Sequence, residues 1–153
     1  MAQTVRSFTE LERILKNRMS QALKMTRDEV YKSIQESLTE YYHEPVFSGG
    51  SSTPKMYDRL YHFLNSVIKT NVEIVGNNVS CTVEVDRGYL SHPYRVGGAT
   101  GQEIWEWANA KTHGGNVKGN LEVWNDAINN LGGEKGILNI MKQNLIKCGI
   151  PVM

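Results

Sequence analysis

The chain has 153 residues, about the size of one domain, and 40% of them are apolar, which is ordinary for a protein with a hydrophobic core. Seventeen Lys and Arg residues against 16 Asp and Glu residues give a net charge of +1, which excludes a strongly basic nucleic-acid arm or an acidic tail. No apolar run approaches the roughly 18 residues of a membrane span, and the first residues lack a signal-peptide pattern. We therefore expect a single domain over residues 1–153, without a membrane segment.

The N-terminal segment predicts a long helix over residues 7–42. Ser7 and Glu10 fit a capping box, in which each residue satisfies a free amide of the first turn. Apolar residues then recur every three or four positions from Phe8 to Leu23. A second apolar stripe follows on a different side of the helix, at Val30, Ile34, Leu38 and Tyr41.

The length of this helix raises a question about its environment. Thirty-five residues would span about 52 Å, whereas a globule of this size is only about 40 Å across. The sequence leaves two alternatives: either the helix breaks near Thr26, or one half of it packs on a neighbouring subunit. In the second case Ile34 is expected to lie in a contact between subunits.

The middle of the chain predicts a β-hairpin over residues 72–86. Residues 43–56 form a loop rich in Gly, Ser and Pro, and residues 57–68 predict a short helix or a turn that enters a strand. The turn residues Gly76-Asn77-Asn78 then separate two alternating segments, of which the second buries Val79, Cys81, Val83 and Val85 on one face. Since two strands alone are marginally stable, the hairpin must extend a larger sheet or lie beneath helices.

Residues 87–101 predict a loop that is too long to be a simple connection. It contains four residues of the types that are enriched at the centre of protein interfaces, namely Arg87, Tyr89, Tyr94 and Arg95. We expect these residues to contact a partner, and the loop to become ordered on assembly.

The C-terminal third predicts three helices. They cover residues 104–110, 121–131 and 134–147, and Gly132-Gly133 ends the second of them. The order of helices, strands and helices favours an α+β fold, in which the C-terminal helices pack on an antiparallel sheet built on the hairpin.

No residue cluster predicts an enzyme, a metal site or a cofactor. The four histidines stand alone, and Glu103 and Glu106 are typical of a solvated helix face. The Gly97–Gly101 segment lacks the lysine of a phosphate-binding loop. Cys81 and Cys148 are expected to be reduced thiols. Five cations between Arg13 and Arg27 predict a solvated or subunit-contacting face, with DNA binding as the alternative.

The chain resembles the neck proteins of long-tailed phages, which complete the tail and join it to the head. The resemblance covers most of the chain and rests on loose motifs in a shared order: Phe8-Thr9-Glu10-Leu11, Tyr57-Asp58-Arg59-Leu60-Tyr61, Val83-Glu84-Val85-Asp86, Ala108-Asn109-Ala110-Lys111-Thr112-His113-Gly114-Gly115, Val123-Trp124-Asn125-Asp126-Ala127 and Cys148-Gly149-Ile150-Pro151. The tyrosine motif departs from the family pattern, because Leu60 stands where a threonine is common. No role is therefore assigned to a hydroxyl there.

The resemblance implies a non-enzymatic virion protein with no cofactor. Such a protein forms a homo-oligomeric ring, most often of six subunits, at the head-proximal end of the tail. Its partners are the tail tube or tail terminator and the head-side connector, close to the DNA in the channel, and it stays in the host cytoplasm until assembly. The alternatives are another phage-type assembly or adaptor module, a DNA-binding adaptor, and a small enzyme with an unrecognised site.

Overall fold

The computed structural model describes residues 7–43, 62–90, 100–109 and 123–152. It confirms the α+β class, with a long N-terminal helix, two small antiparallel sheets and C-terminal helices. The elements in chain order are α1 (Phe8–His43), α2 (His62–Asn65), β1 (Val67–Lys69), β2 (Glu73–Val75), β3 (Asn78–Ser80), β4 (Val83–Val85), α3 (Arg87–Leu90), α4 (Gly101–Asn109), α5 (Val123–Asn130) and α6 (Gly133–Lys147).

Helix α1 is continuous over 36 residues, so the first of the two alternatives, a break near Thr26, is wrong. Ser7 caps its start, since the Ser7 Oγ accepts a hydrogen bond from the Glu10 amide at 3.1 Å. Thr26 is buried within the helix, and its hydroxyl donates to the carbonyl of Ala22 at 2.9 Å. The hydroxyl therefore has an acceptor inside the helix and does not have to cap a new one. At 1.5 Å per residue, α1 is about 54 Å long.

The second apolar stripe of α1 is the core of the chain itself. Ile34 and Leu38 are 0% and 1% exposed, and they cluster with the buried residues Val67, Leu90 and Ala127. The prediction that Ile34 contacts a neighbouring subunit is therefore wrong, because strand β1 and helices α3 and α5 of the same chain already cover it. The apolar stripe moves to a different side of α1 because the two halves of the helix pack against different elements of the fold.

The two sheets form one long antiparallel ribbon that is interrupted by a bulge. Strand β1 pairs with β4, so that Lys69 lies opposite Val83, and β2 pairs with β3, so that Glu73 lies opposite Ser80. Three residues, 70–72, connect the two pairings on one side, whereas two residues, 81–82, connect them on the other. The extra residue is a bulge, and a bulge increases the local twist of a ribbon.

The ribbon lies along α1, which is one of the two environments that the sequence allowed. Val79, Cys81, Val83 and Val85 alternate with exposed neighbours as predicted, but they are half-buried rather than buried. Ile74 in β2 is 46% exposed. Only one long helix covers the ribbon among the described residues, so its outer end stays in contact with solvent.

Helices α5 and α6 pack on α1 rather than on the sheet. The Ser33 hydroxyl donates to the Ala127 carbonyl of α5 at 3.3 Å, and Asn144 of α6 bonds to Thr26 at 3.2 Å. A tight turn joins the two helices, with Gly132 at φ 83° and Gly133 at φ 67°, a backbone conformation that favours glycine. Helix α6 runs antiparallel to α1 and ends near Arg18, whose guanidinium donates to the Gly149 carbonyl at 2.9 Å.

Candidate interaction site

An open groove runs beside strand β4 and has a volume of about 620 Å³. Strand β4 forms one wall, and two tryptophans from α4 and α5 form the other. The residues that line it are Ile68, Val83, Glu84, Val85, Asp86, Arg87, Trp105 and Trp124. We call this feature the β4 groove.

Among the described residues, one edge of β4 has backbone hydrogen-bonding groups that no strand pairs with. Asp86 donates its amide to the Ser66 carbonyl at 2.7 Å, and Thr70 donates to the Thr82 carbonyl at 2.9 Å, so these two pairs are hydrogen-bonded across the ribbon. In an antiparallel ladder such pairs alternate with pairs whose amides and carbonyls point outward. The amides and carbonyls of Val83 and Val85 therefore point outward, away from β1. Within the described residues, β1 is the only strand that pairs with β4. An edge of this kind accepts an extended peptide as a further strand.

Trp105 and Trp124 form the apolar wall of the groove. Their rings meet edge to face, with centroids 5.2 Å apart and an angle of 76° between the ring planes. Both side chains also pack against the buried core around Ile34, which fixes their position. Rigid aromatic surfaces beside a strand edge are typical anchoring points for a partner's side chains.

Helix α3 closes one end of the groove and carries two of the predicted interface residues. Asp86 caps this helix, since its carboxylate accepts a hydrogen bond from the Tyr89 amide at 3.0 Å. Arg87 donates to the side-chain carbonyl of Gln102 on α4, and Tyr89 is 46% exposed. The segment that the sequence predicted as a loop therefore begins with a turn of helix packed on α4.

The contact between α3 and α4 depends on a glycine. Gly101 is buried, and a Cβ atom at this position would overlap the carbonyl oxygen of Arg87. Gly101 belongs to the glycine-rich Gly97–Gly101 segment, and its role in the structure is to allow this close packing. The rest of that segment, residues 97–99, lies outside the described residues.

The structure brings together two of the five predicted interface residues. Both Arg87 and Tyr89 lie on α3, where Arg87 lines the β4 groove and Tyr89 is exposed, whereas Ile34 lies in the core. Tyr94 and Arg95 lie outside the described residues. The groove itself was not predicted, because it depends on β1 leaving one edge of β4 free and on α4 and α5 meeting at their tryptophans.

A charged cluster joins α1 to the ribbon away from the groove. Arg27, whose side chain is 7% exposed, donates to the Thr70 carbonyl at 2.7 Å and to Asp28 at 2.8 Å. Lys69 donates to the same carboxylate oxygen at 2.8 Å and lies 4.7 Å from the centre of the Tyr31 ring. The hydrogen bond from Lys69, supported by that from Arg27, lowers the pKa of the Asp28 carboxyl below its ordinary value.

The basic run on α1 is largely engaged within the chain. Arg27 is buried in the cluster just described, Arg18 bonds to Gly149, and Lys16 pairs with Glu12 at 2.5 Å. The run therefore does not form a continuous free cationic stripe of the kind that binds nucleic-acid phosphates.

The paired carboxylates on α4 have ordinary structural roles. Glu103 accepts hydrogen bonds from both the amide and the hydroxyl of Thr100, at 2.8 and 2.9 Å, and thereby completes a capping box. These bonds lower the pKa of the Glu103 carboxyl. Glu106 accepts a hydrogen bond from the Gln102 side-chain amide. Within the described ranges, no group of three or more His, Cys, Asp or Glu side chains is arranged to hold a metal ion.

The two cysteines are half-buried and are not bonded to each other. The Cys81 thiol lies 3.8 Å from the Leu23 carbonyl, and burial raises its pKa. A thiol with a raised pKa is mostly protonated at neutral pH and reacts slowly. Separately, no helix in the part of the chain that the structure describes is long and apolar enough to span a membrane.

Comparison with known proteins identifies one family. No curated protein and no solved structure matches the chain significantly. The YomN family matches residues 7–147, which include every described helix and strand. The chain therefore belongs to the YomN family, a phage SPbeta-type protein family.

Proposed function

We propose that this protein is a structural virion subunit that joins the tail to the head and acts as a non-enzymatic member of a ring at the neck. The phage family supports the setting, and the resemblance to neck proteins supplies the role. The single observation that carries the proposal further is the β4 groove, an open strand edge beside two fixed tryptophans. Neck proteins must bind neighbours on more than one side, and strand addition is a common way for assembly proteins to do so.

The groove defines which contacts are expected. A segment that adds to β4 would gain hydrogen bonds from the outward amides and carbonyls of Val83 and Val85, and its alternate side chains would meet the tryptophan wall. Arg87 and exposed Tyr89 lie at one end, where residues of these types often supply binding energy. In a closed ring, each subunit would offer the same groove to an equivalent partner.

DNA binding is a weaker second candidate. The five cations of α1 motivated it, but three of them bond within the chain. Proximity to DNA in a neck channel requires no specific phosphate contacts, so it is compatible with the first proposal.

The experiment is a deletion of the gene in the phage that carries it, followed by electron microscopy of the lysate. The proposal expects DNA-filled heads and complete tails as separate particles, and joining of the two on addition of the purified protein. Normal joined virions in the deletion lysate would overturn it. Absence of heads or of tails would also overturn it, because it would indicate an earlier role in assembly.

Point variants distinguish a loss of docking at the groove from a loss of folding. The Arg87→Ala/Tyr89→Ala protein should keep its melting temperature within a few degrees and lose most of its joining activity. Leu138→Ala, an exposed change on α6, serves as the matched control and should join heads to tails normally. Equal joining by both proteins would show that this end of the groove is not a docking site.

A further inference from the structure

Strand β4 and the residue after it have two faces of opposite chemistry. Their sequence, Val83-Glu84-Val85-Asp86, alternates apolar and acidic side chains. The two valines are half-buried on the face that packs towards the core, together with the tryptophans of the β4 groove. Glu84 and Asp86 are exposed on the other face. Because residues of both faces line the groove, it follows the unpaired edge of the strand.

Glu84 is the carboxylate at this edge that remains for a partner to pair with. Its neighbour across the ladder on β1 is Ile68, which is apolar. Arg87, the nearest cation along the chain, donates to Gln102 on α4. Asp86 already caps helix α3. Among the described residues, Glu84 takes part in no ion pair.

The geometry of strand addition fixes where the side chains of a partner lie. Residues that lie side by side in a sheet point to the same face. A segment that adds antiparallel to β4 forms its hydrogen bonds with Val83 and Val85, whose amides and carbonyls point outward. The residue between those two contacts then lies opposite Glu84 in a non-hydrogen-bonded pair, with the Cα atoms about 4.5 Å apart. At this short distance an opposite charge is stabilising and a like charge is destabilising.

The same geometry disfavours a second copy of β4 at this edge. In the two-fold pairing that uses both valines, Val83 of one copy lies opposite Val85 of the other. Glu84 of one copy then faces Glu84 of the other in the close pair, and like charges there are destabilising. The edge thus opposes pairing with itself and favours a basic segment, which is a way to discriminate between partners.

We propose that the β4 groove binds an extended segment of another protein in which a lysine or arginine lies between two apolar residues. The cation pairs with Glu84, and the apolar residues lie beside the two valines, against the tryptophan wall. Because this segment is the partner that the docking role of the groove requires, the assignment rests on the proposed function and adds the partner's chemistry. A few backbone hydrogen bonds and one exposed ion pair make a small contact, so a short peptide should bind with a Kd of about 100 µM or weaker.

Peptide titrations followed by NMR test the charge preference. Two short blocked peptides are added to the isotope-labelled full chain, one with alternating valine and lysine and one with alternating valine and glutamate. At about 0.1 M salt the lysine peptide should shift the Val83 and Val85 amide signals and bind about three- to tenfold more tightly. The net charge of +1 gives no general preference for a cationic peptide. Equal binding of the two peptides, or binding of neither, would overturn the proposal.

A charge reversal with a matched control locates the preference. Glu84→Lys should weaken binding of the lysine peptide about three- to tenfold and strengthen binding of the glutamate peptide. Glu73→Lys makes the same change at an exposed position in β2, outside the groove, and should leave both Kd values unchanged. Both variants should keep the wild-type melting temperature within a few degrees. If the two variants alter peptide binding equally, the preference comes from net charge alone, which would overturn the proposal.

The other occupants of this edge give different results. If another part of the same chain covers it, the Val83 and Val85 amides should exchange slowly with solvent in the free protein, and neither peptide should bind. If a second copy covers it, the wild type should self-associate, and Glu84→Lys should change the Kd of that association. Either result would overturn the proposal.

The peptide titrations and the gene deletion fail separately. Separate heads and tails in the deletion lysate, together with no preference for the lysine peptide, would remove the partner chemistry and leave the joining role. Normal joined virions, together with a lysine preference that Glu84→Lys reverses, would remove the joining role and leave the partner chemistry of the groove.

Discussion

At the scale of single residues, the extent of burial decides how much each apolar side chain stabilises the fold. Ile34 is fully buried at the point where β1, α3 and α5 meet, whereas Ile74 in β2 is 46% exposed. The alternation and helical spacing of the sequence locate apolar faces, but they do not reveal which faces the same chain will cover. At Ile34, a core position and a subunit contact give the same sequence pattern, and only the burial by β1, α3 and α5 distinguishes them.

The first prediction compares these two isoleucines. Ile34→Ala should lower the free energy of unfolding by about 2–5 kcal/mol, because it leaves a cavity in the core. Ile74→Ala, the same chemical change at a half-exposed site, should cost less than about 1 kcal/mol. Urea denaturation of the two variants measures both values. Equal costs would mean that Ile34 is not the core residue described above.

The second prediction concerns Gly101. Gly101→Ala should destabilise the protein by about 1–3 kcal/mol, because its Cβ would push against the Arg87 carbonyl and separate α3 from α4. Gly88→Ala is the control, since its Cβ would meet only the movable carboxylate of Asp86 at 3.2 Å. Thermal and urea unfolding should show a clear loss for the first variant and little change for the second. A Gly101→Ala protein as stable as the wild type would refute the close packing.

The third prediction follows from the lowered pKa of Asp28. Because the folded-state pKa lies below the unfolded one, Asp28 stabilises the fold fully above the ordinary carboxyl pKa of about 3.9 and loses this effect as the pH falls through the folded-state value. Asp28→Asn should therefore lower the free energy of unfolding at pH 7 by about 1 kcal/mol, since the carboxylate is partly exposed and solvent weakens the pair.

Unfolding measured from pH 7 to pH 2.5 tests this expectation. The difference between wild type and Asp28→Asn should shrink to nearly zero in the acid range. Glu36→Gln, which removes the partner of an exposed pair with Lys32, should show almost no difference at any pH. A gap that persists unchanged at low pH would mean that charge is not the source of the Asp28 contribution.

At the scale of elements, α1 is the axis against which most of the other described elements pack, whereas α3 and α4 pack on each other and are joined to it through α2 and α5. The ribbon, α5 and α6 all pack on it, and two buried polar links fix where the ribbon and α6 sit along its length. One link is Arg27 with Thr70 of the ribbon, and the other is Asn144, which is 0% exposed and donates to Thr26 and Glu29. Such buried polar groups stabilise one alignment because any shift would leave them without partners.

The fourth prediction tests the link between α1 and α6. Asn144→Ala should cost about 2–3 kcal/mol, since it removes a buried side chain and leaves the Lys147, Thr26 and Glu29 groups with fewer partners. Gln143→Ala, one residue earlier on the exposed side of the helix, should change stability by less than about 0.5 kcal/mol. A loss below about 1 kcal/mol for Asn144→Ala would show that apolar packing alone aligns the two helices.

The elements themselves were largely predictable from the sequence, whereas their arrangement was not. The caps at Ser7 and at Gly132-Gly133 and the turn at Gly76 are local signals, and each marks an observed boundary or turn. The β1–β4 pairing and the turn of helix at Arg87 depend on contacts distant in sequence, so no local pattern indicates them. For the same reason the β4 groove, which is built from four separate segments, could not be predicted.

At the scale of the whole molecule, the fold keeps its buried core separate from the groove proposed for docking. The second stripe of α1 lies in the core, whereas the β4 groove, which Arg87 lines, is the surface proposed for docking. The proposed docking surface is consistent with assembly in a phage particle, and membership in the YomN family provides the phage setting.

The most direct test of the central claim is the number and position of copies of this protein in purified virions. Quantitative mass spectrometry against a tail-tube protein of known copy number, combined with antibody-gold labelling, gives both quantities. If the protein forms the proposed ring, each virion should contain several copies, six if the ring matches a sixfold tail, all located at the junction of head and tail. Virions that contain no copy or a single copy, or that carry the label away from the junction, would contradict it.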